Sequence, residues 1–365
     1  MDEVSRLYRA QERSKRTHLT LRWKGKVRYT VPRDSAAQQV CWRVFRPGKL
    51  GVPLRAMAQL PRVFGATECI EGAEIISIRQ AIGEDAGPSC CRAGSEGSWS
   101  KNTVLFVDKA VAKPLYIVKT GAGVAIDGLL KNEAQWLRNL EDQASLAIHI
   151  PELVAHRPGA DFCFVVQTVV SGKFDMRLGE LHFDFLRKLQ KSSLQTINYQ
   201  ESGIYRTLNS RLAGLSDFLP DVWSARLEKA VRRIGEILSV SPVLVVTAHN
   251  DFTPWNVGLK HDLAHVFDWE FAADEQLPLF DPLHFALMPL GLWGRPVNKI
   301  LRAMKETVQQ CQIRLGAGFC YEAQTQALAY LVNVCTLYLC SLREESFSHP
   351  LIQSYAQVID HLCGI

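Results

Sequence analysis

The chain has 365 residues, 47 % of them apolar and 22 % charged, with a formal net charge of +5. That length excludes a single small domain and fits two or three compact units with a sizeable core. The charge is uneven: residues 1–60 carry 14 Lys and Arg against 4 Asp and Glu, a net of +10, and the remainder is net −5. No RNP, zinc-finger or helix-turn-helix pattern accompanies the basic segment, so no nucleic-acid partner is expected, and the segment reads as a solvated charged arm.

The ten cysteines form no CxxC pair and are scattered through apolar runs such as "LVNVCTLYLCSL", as reduced, core-packing thiols are. "MDEVSRLYRAQERSKR" has no apolar core of the secretory type, and no apolar run reaches the ~18–20 residues of a membrane span. A reducing, cytoplasmic setting with no membrane span is expected. Oligomeric state is not legible.

Residues 1–30 mix charged and apolar residues, with a helix followed by the strand "KVRYTV". The frequent Pro and Gly of "VFRPGKLGVPLRAMAQLPRVFG" rule out one long helix there. Residues 1–88 read as an extension of low regularity, with short strands expected around "AEIISIRQA". From residue 89 the pattern changes. "SCCRAG", "TVLFVD" and "LYIVKTG" read as strands, with the polar turn "SEGSWSKN" after the first and the hairpin-sized "KAVAKP" after the second. "LLKNEAQWLRNLED" has apolar residues at 129, 130, 136, 137 and 140, a helical spacing. After "IPELVAHRPG" comes the near-continuous apolar strand "FCFVVQTVV". The order is β-β-β-α-β, a small antiparallel sheet with one helix.

Beyond residue 171 the chain turns helical. "HFDFLRKLQKS" and "SARLEKAVRRIGEILSV" are amphipathic, and two long helices, "PVNKILRAMKETVQQCQIRLG" and "YEAQTQALAYLVNVCTLYLCSL", close it. Between them lies "LVVTAHNDFTPWNVGLKHDLAHVFDWEF". It holds two short apolar strands, "VGL" and "HVF". Asn256 stands before the first and Asp268 after the second. If the two pair as a hairpin, both residues lie at the same end and present oxygens to one hard cation, as Mg²⁺ requires. Asp251, one loop away, faces the same space, where a carboxylate accepts the proton of an attacking hydroxyl.

His249-Asn250-Asp251, Asn256 and Asp268-Trp269-Glu270 resemble the H-G-D-x-x-x-x-N and D-W-E wording of the aminoglycoside phosphotransferase and choline kinase branch of the protein-kinase-like fold. The spacing agrees throughout. The departure is Asn250 in place of a common Gly, a residue that still tolerates left-handed angles. The resemblance covers about residues 89–290 and, thinly, the helices after that.

It implies an α+β, protein-kinase-like bilobal fold: an N-terminal extension at 1–88, a small antiparallel-sheet N-lobe at 89–170 and a mostly helical C-lobe at 171–365. It further implies a phosphate-covering turn with Gly94 and Gly97, and Lys119 on the third strand contacting the nucleotide phosphates. Glu133 would orient that lysine, and the backbone of Gln167, Thr168, Val169 and Val170 would hydrogen-bond the base. His249 would support its loop rather than do chemistry. Asp281 would fix a helix start or cap the helix after Pro282, and Trp255 and Trp269 would be packing residues.

The activity implied is Mg²⁺-dependent transfer of the γ-phosphoryl group of ATP or GTP to a small-molecule hydroxyl, in a sugar, an amino alcohol or a metabolite precursor. A second reading is a nucleotide-binding pseudokinase or scaffold that docks a partner through its basic N-terminal segment. A metal-dependent hydrolase built on His249, Asp251, Asp268 and His284 leaves Lys119 and Glu133 without a role. No Walker G-x-x-x-x-G-K-[ST], G-x-S-x-G or H-E-x-x-H pattern is present.

Overall fold

A computed structural model describes residues 18–23, 26–45, 67–69, 73–83, 86–94, 99–108, 113–170 and 172–364. The chain divides into two compact units, Met1–Ala134 with Glu152–Val169, and Gln135–Pro151 with Val170–Ile365. The helix expected in residues 1–30 lies outside the described residues.

The first unit is built on one eight-stranded sheet. Its elements are β1 (His18–Trp23), β2 (Lys26–Pro32), α1 (Ser35–Phe45), β3 (Thr67–Cys69), α2 (Ala73–Ile82), β4 (Ala86–Arg92), β5 (Asn102–Asp108), β6 (Pro114–Gly121) and α3 (Val124–Glu141). After α3 comes a short helix of the second unit, α4 (Ala144–Ala147). The chain then returns to the sheet with β7 (Leu153–Arg157) and β8 (Cys163–Thr168). The strand order is β3-β1-β2-β4-β5-β6-β8-β7 and the pairings are antiparallel.

Three expectations need correction here. Residues before 89 do not stand apart from the sheet: β2 pairs with β4 and extends the sheet back to residue 18. "AEIISIRQAI" is a helix, because Ile78 and its partners at 75 and 82 fall on one helical face that packs on the sheet. "ELVAHR", expected as connection, supplies the edge strand β7.

Strand β5 explains why helices cover both faces. Its odd positions Leu105 and Val107 pack with Ala37, Val40, Cys41, Trp42 and Phe45 of α1. Its even positions Val104 and Phe106 pack with Ile78 of α2. A strand alternates its side chains, so a continuous apolar run needs cover on both sides. Helix α3 lays Ile126, Leu130 and Ala134, four apart, on Cys163 and Val165 of β8. The register Thr103–Lys119–Val165 puts those three residues on one face of the sheet, the face that carries α1 and α3.

The second unit continues with α5 (Glu180–Ser193), β9 (Gln195–Ile197), α6 (Gly203–Leu215), α7 (Asp221–Leu238), β10 (Val243–Ala248), β11 (Val257–Lys260), β12 (Leu263–Val266) and β13 (Ala273–Gln276). It ends with α8 (Phe280–Leu292), α9 (Val297–Arg314), α10 (Ala323–Leu342) and α11 (Pro350–Cys363). Strands β13-β10-β9 form one small sheet and β11-β12 a hairpin. Helix α8 is buried on nearly every side and packs against α9, α10 and α11. A helix that is apolar all round belongs at the centre of its unit. Segment Ala323–Ser348 is the one stretch among the described residues long and apolar enough to cross a membrane, which the sequence reading did not pick out. Of its most apolar window 67 % is buried, which accounts for the composition as that of a core helix.

The β11-β12 hairpin is held on both strands. Lys173 and Leu259 exchange backbone hydrogen bonds at 2.9 Å in each direction. On the other strand Val266 N donates to His149 O at 2.7 Å, and His149 Nδ1 donates to Ala264 O at 2.7 Å while Lys188 Nζ donates to its Nε2 at 3.1 Å. Gly172 makes the first of these contacts feasible, since a Cβ there would sit 2.6 Å from the backbone carbon of Gly258 and 2.7 Å from Leu259 N. Gly172→Ala is expected to destabilise the protein by about 1–3 kcal/mol, as overpacking against backbone does. Urea unfolding checks this; an unchanged midpoint would show that the Lys173–Leu259 pairing does not constrain the hairpin.

Candidate active site

In the first unit the sheet parity described above points Lys119 at α3. Its Nζ lies 2.5 Å from Glu133 Oε1. Lys119 is not at the strand end, since β6 runs on to Gly121, and its side chain is only 10 % exposed. Glu133 is fully buried within the apolar stripe of α3, between Leu130 and Leu137. Two charges in such a place are tolerated only as a pair. Removing one leaves the other uncompensated, at a cost of about 3–5 kcal/mol.

Gly94 is required by close approach: a Cβ there would collide with the backbone of Lys101. Its amide donates to Asn102 Oδ1 at 3.4 Å. Gly97 lies outside the described residues. Gln167 is buried in β8 opposite Ile117. Thr168 is committed to β7's leading edge: its N–H donates to Glu152 O at 3.0 Å, and its Oγ1 accepts from Glu152 N at 2.9 Å. That backbone donor is therefore already used. Val169 packs with Ile117 against the α1 cluster, and Val170 begins the second unit.

In the second unit the loop after β10 is organised by one buried carboxylate. Asp281 Oδ2 accepts from His249 N at 2.8 Å, and its Oδ1 accepts from Asn250 N at 2.9 Å. Asp281 therefore does not cap its own helix; it stands in the first turn of α8 and holds the loop. Burial pushes its carboxyl up to about 6 despite the two amides, which favour the charged form. Asn250 is left-handed at φ 60°, the conformation its replacement of glycine calls for, and its Nδ2 donates to Phe271 O at 3.1 Å.

His249 uses both ring nitrogens. Nε2 donates to Phe267 O at 3.1 Å and Nδ1 accepts from Asp251 N at 3.2 Å, the pattern of a neutral imidazole with a structural task. Its ring meets Trp269 edge-on at 4.6 Å. Trp269 is a core residue, with Nε1 donating to Val266 O, whereas Trp255 is 41 % exposed and does not pack as expected.

The hairpin brings the expected oxygen donors to one end. Phe267 N donates to Asn256 O at 3.2 Å, so Asn256 and Asp268 flank the paired strands. Asn256 Nδ2 donates to Asp251 O at 3.0 Å and to Asp251 Oδ2 at 2.7 Å. With its NH₂ turned onto Asp251, the amide offers its Oδ1 on the other side. Asp268 is left-handed at φ 75° and ψ 55°, which turns the chain sharply into the Trp269–Phe271 turn. Asp251 has a side chain 23 % exposed, and burial raises its pKa, opposed by His284 and Asn256 and reinforced by the like charge of Asp268. His284 Nε2 lies 3.2 Å from Asp251 Oδ1; the sequence grouped these two residues only in the metal-dependent hydrolase alternative, and His284 stands three positions after Asp281, one helical turn away.

Lys119 and Glu133 are thus joined in one unit, and Asp251, Asn256 and Asp268 lie together in the other. No protein-family model matches the chain, and no curated protein sequence matches it. Solved structures do share its fold. A thermostable mutant of aminoglycoside phosphotransferase APH(4)-Ia, in ternary complex with ADP and hygromycin B, aligns with TM-score 0.54 and 13 % identity, over 80 % of this chain and 98 % of that one. The apo form of a thermostable mutant gives 0.52 and 14 %, over 75 % and 94 %. APH(4)-Ia itself gives 0.50 and 13 %, over 75 % and 93 %. The fold is the kinase-like α+β fold of the aminoglycoside phosphotransferases.

A histidine behind the loop yields a pH prediction. His182 packs on Phe285 at 4.7 Å and near Phe252, and burial lowers its pKa from 6.5 to about 4. The unfolded chain binds that proton more readily, so stability is complete above pH 6.5 and falls as pH drops towards 4, by roughly 3 kcal/mol at most. Urea unfolding of wild type and His182→Gln across pH 4–7 checks this. The variant is expected to lose less stability over that window, and parallel curves would contradict the assignment.

Proposed function

We propose that the protein is a nucleotide-dependent phosphotransferase that moves the γ-phosphoryl group of ATP or GTP to a hydroxyl of a small molecule. The observation that carries this reading is the Asp251–Asn256 hydrogen bond beside Asp268, at one end of a hairpin in a kinase-like fold. Asp251 is the base: partly exposed, fixed through both oxygens, and with its proton affinity raised by burial.

The donor set fits a hard cation. Asn256 offers Oδ1 because its Nδ2 is occupied, and Asp268 offers a carboxylate, an all-oxygen pair of the kind Mg²⁺ takes together with phosphate oxygens. Held by these two, such an ion would supply neutralisation of phosphate charge. Lys119, held by Glu133, is the positive charge that the resemblance assigns to the nucleotide phosphates. The remaining work is orientation of the acceptor hydroxyl and electrostatics.

A pseudokinase is a weaker reading because the chain carries each residue that the resemblance calls for: Lys119, Glu133, Asp251, Asn256 and Asp268. The acceptor's class is a sugar, an amino alcohol or a metabolite precursor, and the setting proposed is cytoplasmic, where ATP and GTP are supplied.

Ligand binding to the folded state raises the melting midpoint by mass action, by about 2.7 kcal/mol of stability at a hundredfold excess over Kd. Melting of wild type with Mg-ATP and Mg-GTP is expected to show a Mg²⁺-dependent upward shift that Asp268→Ala abolishes. Absence of a shift with either nucleotide would remove the phosphotransferase reading.

A further inference from the structure

The first of Asp251's two oxygens is held by a device that the roles above leave unused. His284 projects from α8, one turn beyond Asp281, and is only 4 % exposed. Its Nε2 meets Asp251 Oδ1 at 3.2 Å. Its Nδ1 meets the Tyr330 hydroxyl of α10 at 3.4 Å, and that hydroxyl meets the Tyr355 hydroxyl of α11 at 3.1 Å. Both tyrosines are buried, and burial keeps their hydroxyls protonated, so they are available as donors.

One consistent direction through these partners ends on Asp251 as the acceptor, the state a base requires. Tyr355 donates to Tyr330, Tyr330 donates to Nδ1 of His284, and Nε2–H of His284 donates to Asp251. Three core helices thereby converge on one oxygen of one carboxylate. The other oxygen, Oδ2, is taken by Asn256. With both oxygens engaged from the protein side, the carboxylate plane is fixed.

We propose that His284 is a positioning residue for Asp251, held by the Tyr330–Tyr355 pair, and that it orients the base of the phosphotransfer reaction. This rests on the phosphotransferase reading. The network's members lie on the most buried helices of their unit, so its geometry is set by core packing rather than by the loop it serves. A base displaced by as little as 1 Å loses up to ~100-fold in rate.

The test uses the full-length chain with Mg-ATP and, as acceptor, water or the sugar or amino alcohol that stimulates release most, reading steady-state ADP release and the melting midpoint of each variant. His284→Ala is expected to lower kcat by roughly ten- to a hundredfold. Its KM for Mg-ATP should stay within about twofold, since the lost interaction acts on the reaction rather than on nucleotide binding. His284→Gln places an amide nitrogen where Nε2 stood and is expected to recover most of the rate. Tyr330→Phe, which leaves Asp251 and His284 in place, should fall between wild type and His284→Ala.

A wild-type kcat in His284→Ala would overturn the proposal. So would equal losses in His284→Ala and His284→Gln that track equal drops in melting midpoint, the signature of a purely structural residue. Failure of the underlying reading is told apart by wild type itself: no ADP release from the unmutated chain with water or with any of a panel of sugars and amino alcohols would overturn the phosphotransferase assignment, and the role of His284 with it.

Discussion

The candidate site depends on one carboxylate accepting two consecutive backbone amides. Asp281 takes the N–H groups of His249 and Asn250 as the chain leaves β10, where neither has a ladder partner to donate to. Once those two amides are fixed, the next residues have little freedom. Asn250 turns left-handed, His249 bonds the amide of Asp251 and the carbonyl of Phe267, and Asp251 is delivered to Asn256. A buried acid with its pKa raised to about 6 is a costly anchor. It is retained at the start of the most buried helix of its unit, where an apolar residue would leave two amides unsatisfied at roughly 1–3 kcal/mol each.

The first unit solves a similar problem with a pair rather than a single charge. Strand alternation and register send Lys119 to the face covered by α3, and helical spacing sends Glu133 to the face of α3 that meets the sheet. Neither could be buried alone. Together they hold one ammonium at a fixed point between the sheet and α3, at a net cost or gain that is small compared with the penalty for losing either partner. Each unit thus spends burial on holding a few charges still.

Much of this was legible in the sequence, for definite reasons. The Asp251–Asn256–Asp268 spacing is read directly because those residues sit on one continuous loop-hairpin segment, where sequence distance fixes spatial distance. Lys119 and Glu133 were legible through the resemblance and the order of elements. What escaped depends on contacts between distant elements. The eight-stranded sheet begins before residue 89 because β2 pairs with β4 across more than fifty residues, and Pro and Gly in between obscured that continuity. "AEIISIRQA" satisfies strand and helix patterns alike until Ile78 is seen on the sheet. His284, Tyr330 and Tyr355 carry no motif, since they are brought to Asp251 by three helices packing together.

The central claim is that Asp251 activates a hydroxyl for attack on a nucleotide's γ-phosphate. It is tested most directly by measuring ADP or GDP release from Mg-ATP or Mg-GTP with a panel of sugars, amino alcohols and aminocyclitols, for wild type and Asp251→Ala. Acceptor-stimulated release with at least one compound is expected, carried by wild type and lowered about 10²–10⁴-fold in Asp251→Ala with nucleotide binding retained. Stimulated release that survives in Asp251→Ala at the wild-type rate would contradict it.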